Sequence, residues 1–197
     1  MSKRFSKAKG VTFRIALTGL CSSMLVSVQV VLASIPNMEG VTILTALFGY
    51  CFGIYGVFSS LIFCFLEMLI YGGGYISWIA AYFLYWPMLA AIFWILGRKR
   101  VRNRLILTLT ALLCTVYFGV LTSLIDTGVF TGNSERFFYR FWIIYSRGFS
   151  FYVVQILTNA FLFPILFRPL SDVLARINVR FMQTGEPDPP ADSGTSL

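Results

Sequence analysis

The chain is 197 residues long, 57% hydrophobic and 12% charged, with a mean hydropathy of +0.77. A soluble domain carries about 25% charge, so these figures exclude one and indicate an all-α integral membrane protein. The net charge of +8 does not argue for nucleic acid, because the basic residues flank apolar runs and so face anionic lipid.

The first apolar run covers residues 11–34. Arg14 opens it and Ser34-Ile35-Pro36-Asn37 stops it, since proline removes a backbone donor and restricts the residue before it. Residues 41–71 are apolar almost throughout. As one helix they would reach about 46 Å, against a hydrocarbon core of about 30 Å. Gly49, Gly53 and Gly56 therefore predict a turn, leaving a short second span, 41–52, and a third, 55–71. The fourth span is 77–97, with a kink expected at Pro87. The fifth is 105–126, and the sixth is 147–167, with Pro164 near its end. Residues 128–146 between them read as a long polar and aromatic loop. After Pro169, Leu170, Val173, Leu174, Ile177 and Phe181 recur at helical spacing, predicting an amphipathic helix over 169–182. Residues 183–197 are rich in Pro, Gly, Ser and Asp and predict a disordered tail.

Of the 16 Lys and Arg residues, 13 fall in three blocks, and Arg136, Arg140 and Arg147 lie elsewhere. Lys3, Arg4, Lys7, Lys9 and Arg14 open the chain, Arg98, Lys99, Arg100, Arg102 and Arg104 follow span four, and Arg168, Arg176 and Arg180 follow span six. Short loops rich in Lys and Arg stay in the cytoplasm. A six-helix bundle over 11–168 puts all three blocks there, with the basic segment 1–10 and both termini. The loops at 34–40, 72–76 and 128–146 are then outside.

The chain has no histidine, which removes the usual general base and the commonest metal ligand. It has no Gly-x-x-x-x-Gly-Lys-Ser/Thr phosphate loop. Cys21, Cys51, Cys64 and Cys114 lie within apolar spans at no zinc spacing and read as small hydrophobes. Neither catalysis nor a metal or cofactor is expected.

Glu67 is the most informative single residue. It lies about one turn from the outer end of span three, and an ionisable group in a span usually faces an interior cavity. Snorkelling to the surface is the plainer alternative. Asp126 ends span five at a similar depth, Arg147 opens span six as a natural counter-charge, and Glu39 lies in the loop above, so the four are expected to converge. Asn37 and Glu39 either touch a solute or cap and complement the second helix. Gln155 and Asn159 share one helix face and either line a pocket or bond between helices. Trp78 stands with Tyr75, Tyr82, Tyr85 and Trp86 at the start of span four, as an interfacial belt or a surface for stacking on a flat ring. Ala16, Gly19 and Ser23 belong to a run of small residues that includes Ser22 and Ser27. Such a face permits close helix approach, within the bundle or with another membrane subunit.

Taken together, these features resemble the substrate-binding S component of energy-coupling factor (ECF) transporters over about residues 8–168. The resemblance rests on the basic N-terminus, six short spans, the basic gap at 98–104, and Pro36-Asn37-Met38-Glu39-Gly40-Val41-Thr42 before a glycine-punctuated second span. It implies a vitamin importer subunit of a prokaryotic cell membrane. Such a subunit captures its nutrient from outside under the loop between spans one and two, and carries no ATPase. It docks on a transmembrane coupling subunit that rests on two cytoplasmic ATPase subunits. The family's docking face is an Ala-xxx-Ala pair on span one. Here the position four after Ala16 is Leu20, and Gly19 with Ser23 is the small-residue pair that would take that place. The solute classes left open are a cationic ring such as thiamine, a tetrapyrrole such as cobalamin, and a queuosine-type base. Two other readings stand beside this one. One is a stand-alone secondary transporter or channel in which Glu67 or Asp126 is a proton-linked carboxylate. The other is a membrane assembly protein that binds no solute.

Overall fold

The computed structural model describes residues 2–34, 40–71, 76–131 and 136–183, with side chains described over 11–34, 40–71, 76–130 and 136–176. Among these residues the chain is all-α. Its helices are α1 (Ser2–Leu32), α2 (Val41–Phe52), α3 (Ile54–Ile70), α4 (Ile76–Arg98), α5 (Arg104–Thr131), α6 (Phe137–Arg147), α7 (Phe149–Leu162) and α8 (Arg168–Gln183), with a π-helical segment, Phe163–Phe167, joining the last two. Among the described residues, four stretches are long and apolar enough to cross a membrane: Val11–Leu32, Ile76–Arg98, Arg104–Phe130 and Phe149–Arg176. α2 and α3 are equally apolar but only 12 and 17 residues long, or about 18 and about 25 Å.

Polarity is distributed inside out. Ile15, Leu20, Val31, Leu69, Leu113 and Leu157 are exposed, while Thr42, Thr45, Ser59, Glu67, Thr115, Gln155 and Asn159 are buried. Apolar faces of that extent suit lipid rather than water. In the absence of water, the polar side chains turn inward to find partners.

α2 is the centre of the packing. It lies against α3, α4 and α8, and nine of its 12 residues are buried. The reversal into α3 is made at Gly53, whose φ of +63° is a conformation that disfavours any side chain. Against α4 the contact is backbone on backbone: a methyl group on Gly49 would strike the Ala90 carbonyl, and one on Gly97 the Tyr50 carbonyl. α1 runs parallel to α3. Its Arg14 lies over the Tyr55 ring at 5.5 Å. One turn on, Ser22 donates to the Ser59 carbonyl at 3.1 Å and Ser59 donates to the Thr18 carbonyl at 3.2 Å. Small hydroxyl side chains let two helices approach and bond in this way.

One end of the bundle is basic. The α4–α5 turn carries Arg98, Lys99, Arg100, Arg102 and Arg104, and it is fastened to α2 and α8. Tyr50 donates to the Val101 carbonyl at 2.9 Å, and Arg102 pairs with Asp172 at 2.8 Å. Beside it, Phe163 and Phe167 of the π-helical segment stack at 5.5 Å, and Phe93 of α4 meets both. Pro164, which has no backbone N–H, sits inside that segment, where a widened turn accommodates it.

Two segments differ from the sequence reading. Residues 128–146 are not one long loop, because α5 continues to Thr131 and α6 begins at Phe137. α6 is amphipathic: Phe137, Phe141, Ile144 and Tyr145 are half-buried, while Phe138, Tyr139, Arg140 and Trp142 are exposed. That 3.6-residue alternation was masked by the aromatics on both faces. Nor does the sixth apolar stretch stop at 167, since the helical path continues through the π-helical segment into α8. Pro87 lies within α4 without ending it.

The α2–α4 contact generates a paired prediction. Gly49→Ala drives a methyl group into the Ala90 backbone and should destabilise the fold by about 1–3 kcal/mol, the cost of overpacking. Gly19→Ala meets nothing within 4 Å and should be neutral or stabilising by at most ~1 kcal/mol. Thermal unfolding in detergent reads both.

Candidate functional site

Glu67 is 0% exposed, and neither of its carboxylate oxygens has a hydrogen-bond partner. It occupies the inward face of α3, one turn beyond Phe63 and close to Cys64. The Phe63 ring meets Trp86 edge-on at 5.7 Å, and the Cys64 thiol donates to the Tyr82 carbonyl at 3.4 Å. These contacts set residues 63–67 of α3 level with 78–86 of α4.

The aromatics of α4 form a ladder. Trp78 lies 4.3 Å from Tyr82, Tyr82 lies 5.7 Å from Trp86, and Trp86 lies 4.9 Å from Tyr85. Three of them converge on Phe118 of α5, at 6.2 Å from Tyr82, 4.5 Å from Tyr85 and 6.3 Å from Trp86. Tyr82, Tyr85 and Trp86 are all buried, which removes them from an interfacial belt. Trp78 is half-buried.

Beyond Phe118 the layer reaches α7. Asn159 donates to Thr115, one turn before Phe118, at 2.9 Å. Gln155 stands one turn from Asn159 on the same buried face. Both amides keep a carbonyl oxygen without a partner. Thr45 of α2 has a partnerless hydroxyl, and Trp86 a partnerless indole N–H. The contact of Gly49 with Ala90, one turn further along each helix, sets Thr45 level with Trp86. Along the stretch of the bundle marked by Trp78 to Trp86, therefore, the interior holds a carboxylate, two amide oxygens, a hydroxyl and an indole N–H, all buried without partners, beside a series of stacked rings.

A buried polar group without a partner costs about 1–3 kcal/mol, and a buried lone charge more. Natural cores rarely carry several in one region. Most of the atoms left over are acceptors, so the chemistry that satisfies them is N–H donation or positive charge. The rings supply flat apolar faces for stacking and cation–π contact.

Other residues singled out from the sequence fall elsewhere. Asp126 is half-buried on α5, and Arg147 is exposed at the end of α6. Among the described residues no ion pair joins Arg147 to Glu67 or Asp126; the pair formed is Arg102–Asp172. Asn37, Glu39 and Tyr75 lie outside the described residues. Ala16, Gly19 and Ser23 all lie on the exposed side of α1. The face packed on α3 is instead Thr18, Cys21, Ser22 and Leu25. Sequence reasoning missed Thr45, Phe63, Thr115 and Phe118. The Phe63–Glu67 spacing of one turn was the available signal. Nothing in the pattern of α5 marked Thr115 and Phe118.

Comparison of the chain with protein-family models, curated proteins and solved structures gave no match.

A structural carboxylate and a binding carboxylate predict opposite responses to removal. Glu67→Met replaces a partnerless polar group with an apolar one of similar length. It should raise the stability of the solute-free protein by about 1–3 kcal/mol. Lower thermal stability than wild type would assign Glu67 to the framework.

Proposed function

We propose that the chain is the membrane-embedded, substrate-binding subunit of an ECF-type importer. In this reading it captures a vitamin or related small nutrient from outside a prokaryotic cell. It passes the nutrient on through a transmembrane coupling subunit powered by two cytoplasmic ATPase subunits, and its own role is binding rather than catalysis. The observation that carries the reading is Glu67, fully buried and partnerless within a layer of stacked rings and amide oxygens. An intramembrane carboxylate of this kind is costly to keep and is characteristic of a solute or ion site.

The rest of the reading follows from placement. α2 and α3 complete a six-helix crossing with the four longer stretches, and the basic end faces the cytoplasm with both termini. The Glu67 layer then lies toward the outside, away from the ATPases. The exposed face of α1 at Ala16, Gly19 and Ser23 is free for another membrane helix, and small residues there allow backbones to approach closely. The solute class that suits the layer is a flat ring, cationic or rich in N–H donors.

A second reading draws on the same carboxylate. In a stand-alone secondary transporter, Glu67 would carry a proton and no coupling subunit would be needed. The energy source separates the two. Uptake by cells that express the chain with the coupling subunit and ATPases, and its absence without them, supports the importer. Uptake by the chain alone, abolished by collapsing the proton gradient, supports the alternative.

Two mutational outcomes follow. Glu67→Gln should weaken solute binding about 10-fold or more, the effect of losing one charge-assisted hydrogen bond of about 1.5–3 kcal/mol, as read by titration calorimetry. Gly19→Leu and Ser23→Leu should reduce co-purification of the coupling subunit while leaving that affinity intact. A complex recovered unchanged from both variants would remove α1 from the docking role.

A further inference from the structure

The basic end of the bundle contains a cavity of about 260 Å³, away from the Glu67 layer. Arg100 and Arg102 from the α4–α5 turn, Arg168 and Asp172 from the start of α8, and Tyr50 from the end of α2 line it. Three arginines thus line a cavity with a single acidic residue, and Asp172 is already engaged by Arg102 at 2.8 Å.

The surrounding framework is ordered by bonds that do not involve the side chains of the other two arginines. Tyr50 donates to the Val101 carbonyl at 2.9 Å. Ser171 donates to the Arg168 carbonyl at 2.9 Å. The end of α4 is closed by two reverse bonds, from the Val101 N–H to the Leu96 carbonyl at 3.0 Å and from the Arg100 N–H to the Gly97 carbonyl at 2.9 Å. In this type of helix stop the residue at Arg100 is usually glycine, because it must be left-handed. Arg100 has a φ of +52°, a conformation that destabilises a residue carrying a side chain. An arginine held there, at the rim of a cavity with two more, points to a use for its charge.

A phosphate group fits these donors. Arginine presents a planar fork that bonds phosphate oxygens in pairs, and basic pockets between membrane helices receive anionic headgroups. Leu105, Ile106, Leu170 and Val173, close in sequence to the lining residues, are apolar and exposed, where acyl chains could lie. We propose that Arg100, Arg102 and Arg168 form a binding site for a phosphate-bearing anion. The source is a lipid headgroup of the adjoining leaflet or a free phosphate. This inference does not depend on the importer reading.

The test is thermal unfolding of the purified full chain in a neutral detergent, titrated separately with phosphatidylglycerol, phosphatidylcholine and inorganic phosphate. Saturable stabilisation by phosphatidylglycerol alone assigns the site to a headgroup, and saturable stabilisation by inorganic phosphate assigns it to the free anion. In either case Arg100→Gly and Arg168→Gln should each weaken the response about 5-fold, the effect of about 1 kcal/mol per arginine. Arg100→Gly keeps the helix stop, so its melting temperature without ligand should equal or exceed that of wild type. Three results would overturn the proposal: equal stabilisation by phosphatidylcholine, no saturable response to either phosphate source, or wild-type affinity in both variants.

Discussion

The structure depends on how closely α2 is pressed against α4. Gly49 lies against the Ala90 carbonyl and Gly97 against that of Tyr50, so the two helices touch through their main chains. A hydrocarbon solvent offers no hydrophobic drive to hold helices together, and close packing must supply the attraction instead. With α2 in that position, Thr45 reaches the level of Trp86, and Tyr50 reaches the turn beyond α4. Tyr50 and Gly97 of this contact also line the arginine cavity.

Burial has a different meaning in this bundle from its meaning in a soluble domain. The outward faces are apolar, and the interior carries Thr42, Ser59, Ser123, Thr127, Gln155 and Asn159. Several of these are satisfied locally: Ser59 donates to the Tyr55 carbonyl at 2.8 Å and Thr127 to the Ser123 carbonyl at 2.6 Å. Hydroxyl groups can bond back to their own helix. The Glu67 carboxyl makes no such bond, since both of its oxygens are without a partner. Glu67 therefore stands out energetically from the hydroxyl groups around it, and that difference carries the functional argument.

Much of the fold could be read from the chain. Apolar runs too long for one crossing, punctuated by glycine, led directly to the break at Gly53. Glu67 was equally legible, because a carboxylate in an apolar run is conspicuous without knowledge of its neighbours. The partners were not. Periodicity defines a face but not which helix it meets, so the convergence of Tyr82, Tyr85 and Trp86 on Phe118 was invisible, as was the bond from Asn159 to Thr115. The same limit misdirected Arg147, whose charge suited Glu67 but whose place at the end of α6 leaves it exposed. α6 itself was hidden because aromatics populate both of its faces, and its 3.6-residue pattern emerges only once burial is known.

The central claim is that the layer around Glu67 holds a solute rather than completing a core. Native mass spectrometry of the chain, released gently from the membranes of cells grown on rich medium, tests this most directly. The account predicts one small molecule per chain, of a mass and fragmentation that identify a nitrogen-rich ring. It should be lost from Glu67→Gln purified in parallel. A wild-type chain carrying no small molecule, or the same adduct at equal occupancy on both proteins, would contradict it.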